Sequence, residues 1–514
     1  MLRMSRREIS LGLAAGALLA PGTAFPFAGH AARRFDVRDH GARGDGIAID
    51  SDAINAAILA ASRAGGGTVL LPRGRYLCFS IRLKSHVTLV IGEGAVIEAA
   101  DPARHAGRYD LPETGIDQLY QDFGHSHWHN SLIWGEDLVE VAILGPGMIH
   151  GLGLTRDGPG ARWKKQAGER PLSMRRMSDA QIAELEPDAA KMNGLGNKAI
   201  ALKNGRDIHL SGFSILKGGH FAIIATGTQQ LRIDNLAIDT ERDGIDLDCV
   251  RDVVVERCRV NSPNDDGIVV KSSYALGRAI ASENILIRDC DVSGYDMGSM
   301  LDGTKRSTQQ IAPDQDRVTG RIKLGTESNG GYRNIRIEDC RFTRCRGLAL
   351  ETVDGGVMEN IVARQLTMRE VTTAPIFLRI GDRRRGPDGT GIGAITGVEI
   401  SEVDARGIDH RFAASIAGLP GHPVRDVTLR DVHLVYQGGG TAQDAARRPA
   451  ELADAYPEPS MFGVLPSWAL WARHAEQLTI ERFSAETATP DARPQALFDD
   501  VAGLTIRNSP ILAR

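Results

Sequence analysis

The sequence predicts an all-β fold, a right-handed parallel β-helix, on three observations. One seven-residue pattern recurs ten times after residue 200, successive copies start as little as 22 residues apart, and no helical segment separates neighbouring copies. Short strands at that period cannot bury a face alone and must stack on one another. A β-propeller would need blades of about 40 residues with four strands each, which fits poorly.

The copies begin at Asp207 (DIHLSGF), Gln230, Asp252, Asn284, Asn334, Asn360, Gly397, Asp426, Gln477 and Gly503. Their second and fourth positions are apolar, as in Ile208 and Leu210 or Ile335 and Ile337, while the third is often polar, as in His209 and Arg336. Period-two alternation of this kind gives a strand with one buried and one wet face. The seventh position is apolar or Cys, and Cys258, Cys290 and Cys340 share that register. They are expected to form an internal ladder of reduced thiols packed as small hydrophobes, with disulfides between rungs as the alternative.

Ahead of the repeats, Asp50-Ser51-Asp52 opens a helix with apolar positions Ile54, Ile58 and Leu59, closed by Gly65-Gly66-Gly67. An amphipathic helix there would cap the open end of the solenoid. Early coils follow in HVTLVIGEGAVI and LVEVAILGPGMIHG. Residues 152–197, 296–320 and 436–475 break the rhythm and are expected as loop insertions in one domain spanning 32–514.

Residues 1–31 read as an export signal of twin-arginine type: Arg6-Arg7, an apolar run from Ile9 to Ala20, then small residues around Gly22-Thr23-Ala24. A periplasmic or secreted monomer is expected. Net charge is −4, so no basic field invites nucleic acid, and no later apolar run is long enough to span a membrane. With 58 Gly and 5% aromatic residues, many tight turns are expected and a large aromatic core is not.

The stretch NSPNDDGIVVKSS places Asp265 beside Asp266, and Asp243 lies 22 residues upstream in ERDGIDLD. If one coil takes about 22 residues, Asp243 sits under Asp265, roughly 4.8 Å away along the stack. Three carboxylates then meet on one patch. Crowded carboxylates split their proton affinities, which supplies the acid and the base that glycoside hydrolysis needs. A surface acid cluster or a Ca²⁺ site would use the same residues. Arg321 and Lys323 in GRIKLGTES face one way on the next strand and suit an anionic sugar better than a metal ion.

The helix-capped start, the coils, RDGID, NDDGIVVKS and GTESNGGYRNIRIEDCRF together resemble the polygalacturonase family, glycoside hydrolase family 28, over residues 35–440. That resemblance implies a pectin-lyase-like solenoid and an inverting hydrolase of pectic chains that needs no cofactor and no metal. It makes Asp265 the general acid, and Asp243 and Asp266 the pair that holds and activates water. Two departures stand out. The family's Gly-His-Gly falls at Val318-Thr319-Gly320, without its histidine. The family's Arg-Ile-Lys falls at Ala349-Leu350-Glu351, while a literal Arg-Ile-Lys stands one coil early at 321–323. Either Arg321 and Lys323 read a substrate carboxylate from the adjacent rung, or Glu351 marks a neutral sugar such as rhamnose.

Further candidates for substrate contact are Trp128, as a stacking platform in GHSHWHN, His220 in KGGHFAII, and Lys271, which either binds substrate or pairs with Asp266. His125, His127 and His129 carry a weaker zinc reading with no fourth ligand in view. A polysaccharide lyase and a non-catalytic carbohydrate-binding β-helix are the competing functions. Exo-action is expected, because large loops on one face would close the groove into a pocket.

Overall fold

The structure is a computed structural model that describes residues 33–115, 120–158, residue 178, 189–312 and 316–512. The expected export signal and most of the 152–197 insertion lie outside the described residues. All strands belong to one continuous parallel ladder. The earlier coils contribute three short strands each, two of which run together as one long strand from Tyr332–Thr343 onward, and each strand pairs with its counterpart one coil on. For example, Arg206–Ser211 pairs with Gln229–Asp234, which pairs in turn with Arg251–Glu256.

The sequence repeat maps onto one corner of this coil. All ten repeat starts, eight of them not glycine, have φ between 52° and 66°. That left-handed conformation costs an ordinary L-residue about 1–2 kcal/mol, and Asn and Asp tolerate it best. At this corner Asn360 donates its amide to Asn334, Asn334 to Asn284, and Asn284 to Asp252, so the side chains that permit the turn also bond it to its neighbours.

The apolar positions of each repeat point inward and form one core running the length of the solenoid. Burying an Ile or Val in this way contributes about 1.5–3 kcal/mol. All six cysteines are free and buried. Cys258, Cys290 and Cys340 stack in register, and each thiol donates to the carbonyl two residues earlier. The reduced-thiol ladder is what the structure contains.

Helix α1 (Ser51–Arg63) packs across the first coils and buries Ile54 and Ile58 as expected. Leu59 does not follow them: it is 40% exposed, because it falls on the solvent edge of the helix. Asp50 supports this region through its carboxylate, which accepts from the Arg43 and Gly44 amides. Among the described residues no helix is long and apolar enough to cross a membrane.

One face of the solenoid carries the chemistry. A short helix α2 (Phe123–Ser126) lies over it, and its rungs are β1 (Phe221–Thr226), β2 (Asp243–Asp248), β3 (Ile268–Ser272), β4 (Ile322–Ser328), β5 (Leu348–Thr352) and β6 (Ile376–Ile380). The third insertion is shorter than expected. Residues 470–475 belong to the strand Leu470–Thr487, whose first residues pair with Ala414–Ala417 and continue this face.

Candidate active site

The step from β1 to β2 is 22 residues, with Phe221 opposite Asp243, but the step from β2 to β3 is 23, with Ile245 opposite Ile268. The extra residue is accommodated in the turn before β3. Asp243 is therefore in register with Asp266, not with Asp265 as the 22-residue spacing predicts. The Asp266 amide donates to Asp243 Oδ1 at 3.2 Å, and the Gly244 amide donates to the Asp266 carbonyl. Asp265 stands one residue earlier, and its carbonyl accepts from Gly320. The expected convergence still holds, since oxygens of Asp243, Asp265 and Asp266 all lie within 4.8 Å of one another.

The three acids differ sharply in surroundings. Asp243 and Asp266 are buried, whereas the side chain of Asp265 is 29% exposed and opens to the groove. Burial and the neighbouring Asp265 push Asp243 well above the usual carboxylate range. Burial would also raise Asp266, but Lys323 and Arg321 overcome it and hold the group down at about 2. Asp243 thus keeps a proton where Asp266 does not.

Asp265 is gripped by Arg242, whose Nε and Nη2 lie 3.2 and 3.0 Å from Oδ2. Arg321 Nε donates to Asp266 Oδ1 at 2.8 Å, and Lys323 Nζ lies 3.4 Å from Oδ2. Lys271 donates to Asp246 at 2.7 Å, to Asp243 at 3.2 Å and to His125 Nε2 at 2.8 Å. It pairs with those groups and not with Asp266, because Asp246 and Lys271 project from neighbouring rungs onto the same face. Burial disfavours its charge, yet Asp243 and Asp246 raise its proton affinity, so it remains an ammonium ion and His125 Nε2 is the acceptor.

The remaining sequence candidates separate. Arg321 and Lys323 stand beside the acids but are almost fully buried, turned onto Asp266 and away from the groove. Glu351 is buried on the next rung, 3.5 Å from Lys323 and 3.9 Å from Arg321, and burial lifts it to about 7. Trp128 cannot serve as a stacking platform. It is 1% exposed, its indole donates to Thr226 Oγ1, and Lys203 lies over its ring. His220 packs on Phe221 and shares Nδ1 with the Arg156 carbonyl; burial pushes its proton affinity well down, which fits turn packing.

The three histidines before the early coil do not converge. His125 meets Lys271, His127 stacks on Phe123, and His129 meets Glu136. Glu113, His129 and Glu136 do approach one another, but Lys203 already neutralises Glu136 at 2.7 Å.

Several residues of the site escaped the sequence reading. Glu327 sits 3.9 Å from Lys271 and 3.5 Å from Arg383, and although burial opposes it, Lys271 and Arg383 hold it well below the usual range. Its spacing from Arg321 and Lys323 puts it on the same strand face, a signal present in GRIKLGTES. Asp246 shares a face with Asp248 by the same rule. His125, Tyr456 and Glu458 come from loops with no periodicity to mark them.

Two family models match parts of the chain: a rhamnogalacturonase A/epimerase, pectate lyase-like model over residues 34–131, and a right-handed β-helix region over 188–310. A probable polygalacturonase of Vitis vinifera is 23% identical over 419 residues, covering 77% of this chain and 73% of its own length. The chain is thus similar to polygalacturonases over most of its length. Two solved structures carry the fold likeness. The hyperthermoactive exopolygalacturonase of Thermotoga maritima has a TM-score of 0.57 at 22% identity, covering 79% of this chain and 87% of that one. The family 28 exopolygalacturonase of Yersinia enterocolitica has a TM-score of 0.57 at 16% identity, covering 92% and 78%. Within this polygalacturonase-like frame, a wall of cations and carboxylates lines β4 and β5, carried by Arg321, Lys323 and Glu351.

Proposed function

We propose that the chain is an inverting, exo-acting glycoside hydrolase that removes a terminal α-galacturonosyl residue from pectic oligosaccharides. The observation that carries the reading is the meeting of three carboxylates, one open to the groove and two buried, with the proton affinities of the two buried ones driven apart. Asp243, pushed up by burial and by the neighbouring Asp265, holds a proton. Its transfer to Asp265 arms the acid that faces the groove. Asp265 then protonates the departing glycosidic oxygen, while Asp266 and the ionised Asp243 orient a water molecule. Asp266 takes the water's proton as the hydroxide adds to the anomeric carbon.

The spacing of the acids is tighter than the about 6.5–9.5 Å usual for inverting pairs, so the inverting course rests on the family resemblance. Proton NMR of the first-formed sugar tests it directly: an anomer of configuration opposite to the substrate is expected, and a retained one refutes inversion.

Exo-action is supported by insertions that reach the same site. Arg156 accepts from His220, Gln309 meets Asn264, and Glu458 binds Arg321. A pocket of about 230 Å³ is lined by Leu154, Thr155, Arg156, Lys217, Gly219 and Glu241, the last of which stands two residues before Asp243. Arg156 and Lys217 outnumber Glu241 in its lining and could seat a uronate carboxylate. A lyase reading is disfavoured because Lys271 and Lys323, the amines among the acids, are buried ammonium ions paired with carboxylates and neither is a free base.

The deciding experiment uses pectic oligosaccharides of defined ends, with products followed by chromatography. Monomeric galacturonate released from one end only is expected. An unsaturated product would replace this reading by a lyase, and binding without any release would make the chain a carbohydrate-binding protein. A second reading, cleavage beside a neutral sugar such as rhamnose, is favoured by the carboxylates that already occupy Arg321 and Lys323.

A further inference from the structure

On the hydrolase reading above, we propose that Arg321 and Lys323 are positioning residues that orient and charge Asp266, and that they do not recognise a carboxylate on the sugar. The two side chains leave β4 on one face, and the register of Val269 with Lys323 sets that rung directly after the one that begins beyond Asp266. Each oxygen of Asp266 has its own cation: Oδ1 takes the Arg321 Nε at 2.8 Å, and Oδ2 faces Lys323 Nζ at 3.4 Å.

The far sides of both cations are closed. Arg321 turns Nη1 and Nη2 onto Glu458 at 3.2 and 2.7 Å, and Glu458 is held in turn by Arg346 at 2.7 Å. Lys323 Nζ is shared almost evenly between Asp266 and Glu351, with the Tyr456 ring 5.5 Å away. Arg321 is 1% and Lys323 2% exposed. An incoming uronate would have to displace a buried, doubly paired glutamate, leaving that charge uncompensated.

Every cation of the cluster already has a carboxyl partner: Arg321 meets Asp266 and Glu458, Lys323 meets Asp266 and Glu351, and Arg346 meets Glu458. The other charged groups around Asp266 are Asp243 and Asp265, which disfavour its ionisation, and Lys271, which favours it. Only the pair on β4 touches both oxygens.

The test compares Arg321→Gln and Lys323→Gln with wild type on substrates carrying either galacturonate or its carboxyl-reduced counterpart over β4 and β5. The expected result is a fall in kcat of about 10–100-fold on both substrates, KM within threefold, and an acid limb of kcat/KM moved to higher pH, with Lys323→Arg restoring the limb. A rise in KM confined to the uronate substrate, with the acid limb unmoved, would overturn the proposal. Wild type gives an answer that no misfolded variant can obscure: carboxyl reduction of that sugar should change calorimetric affinity less than threefold, and a loss of tenfold or more refutes the assignment. Calorimetry reads the contact whether or not turnover occurs, so absence of sugar release would count against the hydrolase reading alone.

Discussion

Arg242 holds Asp265 through a single carboxylate oxygen, with two guanidinium nitrogens converging on Oδ2 at 3.0 and 3.2 Å. The other oxygen accepts from the Asp266 amide, so the exposed acid of the trio is fixed from both sides. As the general acid, Asp265 has no substitute within reach of the leaving oxygen. Asp265→Asn should lower turnover by about 10²–10⁴-fold on natural linkages and recover on an activated aryl glycoside, whose leaving group needs no proton. Arg242→Ala should cost about 10–100-fold in kcat with little change in KM, through a misplaced acid. Steady-state kinetics on both substrate classes checks each outcome, and failure of the aryl glycoside to rescue Asp265→Asn removes the assignment.

Asp239 anchors a wall of the groove from within. It is fully buried and accepts from the Asn261 side chain and from the amides of Gly298, Met300 and Leu301. Asp239→Ala removes the acceptor of three partly buried amides, those of Gly298, Met300 and Leu301, at up to about 1–3 kcal/mol each. A lowered melting temperature is expected together with increased proteolysis between residues 295 and 312. A variant as stable and as resistant as wild type would show that this loop is held elsewhere.

Glu351 makes stability depend on pH with a definite sign. Its folded-state value of about 7 lies above the ordinary glutamate value of about 4.3, so between those limits the folded protein binds more protons than the unfolded chain. Its contribution is fully present below pH 4 and fades as pH rises through 7. Glu351→Gln should flatten the melting-temperature profile between pH 5 and 8, relative to wild type. An unchanged slope would show that Glu351 is not the group responsible.

An exo-acting enzyme shortens a polymer from its end. On polygalacturonate, viscosity should fall slowly while reducing sugar accumulates steadily. A rapid fall in viscosity with few new ends would mean that the loops leave the groove open at both sides.

The solenoid was legible because its rule is local. Alternation and a positive-φ corner recur in every repeat, so Asp207, Asn284 and Asp426 announce the same turn without knowledge of the rest. The convergence of the acids followed from the same period, yet its register did not. A one-residue difference in the turn before β3 moves the partner of Asp243 from Asp265 to Asp266, and composition gives no sign of it. The partners of Arg321 were less visible still: Glu458 lies 137 residues away in a loop, and only packing brings it there. Trp128 misled for a related reason, since an indole in a polar, histidine-rich stretch looks exposed until Thr226 supplies its acceptor.

The ladder that stacks β2, β3, β4 and β5 gives the reacting groups a common foundation, since Asp243 opens β2 and Asp265 and Asp266 lead directly into β3. Their spacing is set by backbone hydrogen bonds of that ladder and of the turn before β3. The insertions beside it are tied on by a few side-chain contacts, such as Asp239 to the amides of Gly298, Met300 and Leu301 and Glu458 to Arg321. A chain built this way can exchange what it grips, one insertion at a time, while the machinery that breaks the bond stays in place.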